Sequence, residues 1–196
     1  MDIEQRALQR MRNSIETAQS NMDQIAGPLC AAAQLVTNAV LAGGKILTCG
    51  NAMTAATAQQ LATYLSTRFE HDRPSIPAIA LGLNNFTLMT IATRSGFSEV
   101  YSRSIQSLGQ ENDILVVFST DGLEVNLIQA VSAAHERGLC VIAITGHKGG
   151  DLAELLQVGD VEIRIDSSSS AQVHELQLLI IHTLCDLIDH QLFGVE

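Results

Sequence analysis

Asp113-Ile114-Leu115-Val116-Val117-Phe118-Ser119-Thr120-Asp121-Gly122 is the stretch that decides the fold. An unbroken apolar run, closed by small and hydroxyl residues, suits a strand buried on both faces, as in a parallel sheet. Four more short runs have apolar centres: Lys45–Cys49, Pro77–Leu81, Leu139–Ile144 and Asp160–Ile165. Helical patterns lie between them at Thr54–Ser66, Phe86–Leu108, Leu123–Arg137 and Gly149–Leu156. This alternation predicts an α/β fold, a five-stranded parallel sheet covered by helices on both sides.

Before the first strand the period is helical. Leu8, Met11, Ile15, Ala18, Met22 and Ile25 recur at steps of three and four, a heptad-like seam over Met1 to Ile25. Such a stripe packs on the domain or on another subunit. Gly27-Pro28 is expected to end this helix, with Pro28 starting a second over Leu29–Leu41. After the last strand, Ser167–Ser170 reads as a polar loop and cap for a helix over Ala171–Leu192. The whole of 1–196 reads as one domain. Residues 1–42 supply helices for packing and oligomerisation, and 43–196 the α/β core with the C-terminal helix.

A chain of 196 residues buries roughly 70% of its unfolded surface and needs no disulfide or metal staple. Eleven Lys and Arg against 21 Asp and Glu leave a charge of −10, which disfavours nucleic acid as a partner. The lack of Trp, with 2 Tyr and 5 Phe, argues against a base-stacking surface. Cys30, Cys49, Cys140 and Cys185 form no C-x-x-C pair and read as buried free thiols of a reducing compartment. The first residues do not resemble a signal peptide, and no uninterrupted apolar run approaches the ~20 residues of a membrane span. A cytoplasmic protein without a membrane partner is expected.

Ligands of open parallel sheets bind beyond the carboxyl ends of the strands. Three turns fall there: Gly50-Asn51-Ala52-Met53-Thr54, Ser119-Thr120-Asp121-Gly122 and Thr145-Gly146-His147-Lys148-Gly149-Gly150. Their N–H and O–H groups could hold a phosphate at a helix N-terminus; they also read as ordinary turns and caps. Neither a P-loop nor G-x-G-x-x-G occurs, so a nucleotide cofactor is not supported.

Several of these residues carry a family resemblance. Cys49-Gly50-Asn51, Arg68-Phe69, Arg73-Pro74-Ser75-Ile76-Pro77-Ala78-Ile79-Ala80-Leu81, Ser119-Thr120 with Gly122, and Thr145-Gly146 with Gly149-Gly150 resemble a SIS (sugar isomerase) domain. The branch is the one that holds phosphoheptose isomerase and the DnaA initiator-associating protein. Leu184-Cys185-Asp186-Leu187-Ile188-Asp189 and Leu192-Phe193 resemble the latter and its nearest isomerase relatives. The resemblance covers nearly the whole chain. It implies a three-layer, flavodoxin-like sheet, a homotetramer with sites at subunit interfaces, and binding of a sugar or sugar phosphate. Active members isomerise sedoheptulose 7-phosphate with a Glu on the helix after the first strand and a His on the last helix. Several also hold a metal there.

At matching positions this chain departs from the active pattern. Gln60 stands for a metal-site His and Tyr64 for the catalytic Glu, while His182 keeps the catalytic His. A phenol with an ordinary pKa of about 10 is no carboxylate base. His174 takes a family Gln position, Glu175 matches a family Glu, and Gln177 replaces a neighbouring His. His174 and His182 lie ~12 Å apart along a helix, too far for one chain to clasp a metal with both. No cofactor is therefore expected: zinc is implied by the family, but Gln60 and Tyr64 argue against it. In the loops, Ala52-Met53 replace two glycines, Asp121 and Glu124 replace two phosphate-binding hydroxyls, and Thr93-Arg94 replace Asn-Asp. The ligand-binding set carried over is Gly50, Asn51, Thr54, Arg68, Arg94, Ser119, Thr120, Asp121, Gly122, Glu124 and Glu175. These losses lead to the expectation of a non-catalytic SIS homotetramer that binds DnaA through Leu192 and Phe193. The alternatives are a phosphoheptose isomerase working with altered residues and a sensor of a non-phosphorylated sugar derivative.

Overall fold

A computed structural model describes residues 2–195. In chain order it contains α1 (Ile3–Leu41), β1 (Ile46–Gly50), α2 (Met53–Ser66), β2 (Ala78–Ala80) and α3 (Asn85–Arg94). A 3-10 turn (Phe97–Glu99), α4 (Ser102–Leu108), β3 (Ile114–Phe118) and α5 (Val125–Glu136) follow. The chain then forms β4 (Cys140–Gly146), α6 (Gly150–Glu154), β5 (Val161–Ile165) and α7 (Ser170–Phe193). The sheet is parallel throughout, in the order β2-β1-β3-β4-β5. All five expected strands are present.

The period of two sorts β3 between two cores. Ile114, Val116 and Phe118 face a layer made by α1, α2 and α7. Leu115 and Val117 face the other layer, with Ile105 of α4, Leu127 and Val131 of α5, and Leu152 of α6. Both faces are dry, which is why the run carries no polar alternation. Lys45 and Asp113 pin the amino ends of β1 and β3 by an ion pair at 2.6 Å, with Asp113 2% exposed. At the other end, β1 connects to β2 on one side while its other neighbour is β3, so the order reverses there. This is the switch point, where β1 and β3 lead into helices on opposite faces of the sheet, α2 and α5.

Three expectations need correction. Gly27-Pro28 does not break the N-terminal helix, which runs unbroken through Pro28. Ile25, Leu29, Ala32, Ala33 and Val36 lie on one buried face and hold both halves on the same core, while nothing crowds Gly27. Packing thus outweighs the backbone hydrogen bond that proline removes. The Phe86–Leu108 pattern is divided, because Gly96 adopts φ 106°, a conformation no helix contains. Of the four thiols only Cys49 and Cys185 are buried; Cys140 is half-buried and Cys30 exposed. By length and composition α1 also qualifies as a membrane-crossing helix, although its apolar face from Ile25 onward belongs to the core.

Candidate functional site

The loop after β1 is closed by its own side chains. Thr54 Oγ1 accepts from the Asn51 N–H at 2.7 Å and donates to the Asn51 carbonyl at 2.8 Å. The Asn51 amide exchanges two 2.8 Å hydrogen bonds with Asn126 at the start of α5, tying the β1 loop to the β3 loop. Tyr101 donates its phenol proton to the Gly50 carbonyl from below. Ala52 holds φ 49°, so this loop takes a left-handed turn without the glycine that usually accommodates it.

The loop after β3 is likewise satisfied from within. Ser119 Oγ accepts from the Gly122 N–H at 2.7 Å and the Asp121 N–H at 3.2 Å. Its proton goes to Glu124 Oε2 at 2.5 Å. Asp121 Oδ1 accepts from the Leu123 N–H at 3.0 Å. The two N–H groups that point into the turn therefore meet a serine whose hydroxyl is committed to a carboxylate. Thr120 has no side-chain hydrogen bond among the described residues. Gly122 (φ 75°) lies so close to the Gly149 carbonyl that any Cβ would collide with it, which locks the β3 and β4 loops together. Behind the loop, Gln177 of α7 donates to the Ser119 carbonyl at 2.9 Å, and its Oε1 is buried without a partner.

Five residues further along α7, about 7.5 Å along the axis, stands His182. Its Nε2 lies 3.5 Å from the Tyr64 hydroxyl of α2. Gln60, one turn earlier on α2, donates to that hydroxyl at 2.8 Å. With the phenol oxygen already accepting, its proton is free to point at His182. Phe69 packs against both rings, 5.2 Å from Tyr64 and 5.6 Å from His182 between centroids. Tyr64, at the position of the family Glu, and His182, at that of the family His, are thus brought together by α2 and α7.

Other expected site residues lie elsewhere. Arg68 pairs on the surface with Asp72, both well exposed. Arg94, at the end of α3, has no ion-pair partner among the described residues, so it joins neither Asp121 nor Glu124. Glu175 pairs with Arg10 of α1 at 3.3 Å. His174 leaves Nδ1 buried without a partner. Leu192 is half-buried against the core, while Phe193 is exposed at the end of α7, with the Arg73 guanidinium 5.8 Å from its ring centre.

The donor set beside His182 does not fit a zinc ion. Zinc sites are built from imidazole, thiolate and carboxylate, whereas His182 has a phenol and an amide already bonded to each other. No three His, Cys, Asp or Glu side chains gather into a metal-sized group among the described residues. Sequence reasoning missed Asn126, Tyr101 and the pair Arg73–Asp189. The partners of Arg73 and Asp189 are 116 residues apart, and no local pattern marks them.

Fold and loops together define a SIS domain: the SIS domain family model matches residues 9–146, and the chain belongs to that family. Its similarity to particular members runs end to end. Phosphoheptose isomerase of Alkalilimnicola ehrlichii is 44% identical over 194 residues, 99% of each chain. The structure of phosphoheptose isomerase GmhA from Neisseria gonorrhoeae superposes with a TM-score of 0.91 at 35% identity, covering 96% of this chain and 99% of that one. A phosphoheptose isomerase from Francisella tularensis gives 0.93 at 34% identity, covering 97% and 100%. These relatives overturn the expectation of a non-catalytic DnaA partner. The chain follows isomerases over nearly their full length.

Proposed function

We propose that this protein is an aldose–ketose isomerase of a phosphorylated heptose, acting on sedoheptulose 7-phosphate. The observation that carries this reading is the end-to-end likeness to phosphoheptose isomerases, 44% over 99% of both chains. The reaction removes a proton from the carbon beside the carbonyl, passes through an enediolate and returns the proton to the former carbonyl carbon, while the hydroxyl proton moves from one oxygen to the other. His182 is the proton carrier. Tyr64, its oxygen held by the Gln60 amide, turns its proton from His182 to the substrate oxygen that gains charge. The β1 and β3 loops, with Gly50, Asn51, Thr54, Ser119, Thr120 and Gly122, receive the phosphate end, against the opposing charges of Asp121 and Glu124. No metal enters the step, so a chelator leaves the rate unchanged. The protein works in the cytoplasm as a homotetramer, joined through the apolar faces of α1 and α7.

The test is turnover of sedoheptulose 7-phosphate followed by NMR of the sugar. The native chain converts it, and His182→Asn abolishes conversion. A folded native chain without turnover, with or without added zinc, would remove the proposal.

A further inference from the structure

We infer that Arg73 and Asp189 form a positioning clip that sets the Tyr64–His182 separation. The inference rests on the roles just proposed for those two residues. Arg73 follows α2, and its side chain is 1% exposed. Its Nη2 donates to the Tyr64 carbonyl at 2.9 Å and its Nη1 to the Leu65 carbonyl at 2.8 Å. These are carbonyls of the last turn of α2, which the helix itself leaves unsatisfied. A third bond, from Nη1 to the Pro74 carbonyl at 3.1 Å, holds the loop that leads to β2. The remaining face of the guanidinium donates from Nε to Asp189 Oδ1 at 2.7 Å. Asp189 sits on α7 two turns beyond His182. One planar cation therefore grips the backbone of Tyr64 and the helix that carries His182.

The chemistry of the pair argues for position rather than stability. Asp189 Oδ2 is buried without a hydrogen-bond partner. A half-satisfied carboxylate in a dry core is costly, and apolar residues of the same volume would hold two helices together at least as well. They would not fix the register of one helix against the other. A fork of N–H donors does, because each bond has a required direction. Phe193, over which Arg73 lies, closes the solvent side of the clip.

The test uses the full-length protein labelled with 15N in its histidine rings. Tyr64→Phe displaces the His182 ring resonance in the otherwise native chain, because a hydrogen bond is lost. In an Arg73→Lys background that displacement shrinks to roughly half or less, since a lysine cannot span the same carbonyls. Lys45→Met, which breaks the buried ion pair at the far end of the sheet, leaves the displacement as it was. Asp189→Asn is read in the same way and serves if Arg73→Lys fails to fold. An undiminished displacement in the clip variants overturns the inference, as does an equal reduction by Lys45→Met. Turnover separates this result from the isomerase reading. In an active enzyme Arg73→Lys lowers kcat about tenfold with KM within about twofold. A native chain that shows the NMR coupling but no turnover refutes the isomerase reading and leaves the clip standing.

Discussion

Ser119 donates a hydrogen bond to Glu124, and through that one bond the acidic loop bears on the phosphate site proposed above. Any dianion reaching the Asp121 and Gly122 N–H groups must displace the serine and approach two carboxylates. Like charges a few ångströms apart in a partly dry site weaken binding by at least an order of magnitude. Glu124→Ser frees the Ser119 hydroxyl and removes one charge; it is expected to lower KM for sedoheptulose 7-phosphate by about tenfold, measured in the turnover assay. An unchanged KM would place the phosphate elsewhere. A second residue-scale effect lies in Cys185, whose thiol burial pushes up from the usual 9.0 to about 12. An unfolded chain ionises this thiol above about pH 9 while the folded one holds the proton. Stability contributed by the neutral thiol is thus intact below that point and falls as pH rises toward 12, by about 1.4 kcal/mol per pH unit. Denaturation of Cys185→Ala between pH 9 and 11 should show a shallower alkaline decline than the native chain.

Among the elements, β3 was legible because five apolar residues in a row admit little but a buried strand, and its neighbours share that signature. The two failures were local signals overruled by tertiary structure or left unweighed. Pro28 looks like a boundary in any sequence, yet Ile25 and Leu29 face the same core and carry the helix across it. Ser95-Gly96 sits inside a long helical period, and only the left-handed conformation at Gly96 reveals the break. Pro28→Ala restores a helical N–H at that point and should raise stability by roughly 1–2 kcal/mol, the lost bond outweighing the added freedom of the unfolded chain. A fall in melting temperature would mean that the proline shapes the curve of α1. For the candidate site, matching positions to the family singled out His182 as the retained position and Tyr64 as a replaced one. Their 3.5 Å approach and the clip behind them depend on how α2 meets α7, which sequence spacing does not encode.

At the scale of the whole molecule, the first half of α1 rests on the domain by one side and leaves an apolar stripe in water on the other. Ile3, Leu8, Met11, Ile15 and Met22 are 46–84% exposed, more apolar surface than one helix of a monomer normally leaves in water. Met22 continues into a groove of about 440 Å³ between α1 and α7, lined by Ile25, Leu29, Leu176, Leu179 and Ile180. A chain of charge −10 meets copies of itself against repulsion, so an assembly must bury this stripe to form. Two charges added to the stripe decide the matter: Met11→Asp with Ile15→Asp should run as a monomer in light scattering, where the native chain runs as a multiple of 21.0 kDa. Low salt should weaken the native assembly as well, because the repulsion is then unscreened. Neither position touches His182 or Tyr64 in one chain. If the site is shared between subunits, the monomer therefore loses turnover while keeping its circular dichroism. If it turns over at the native kcat, a single chain holds every group the reaction uses, and the stripe serves assembly alone.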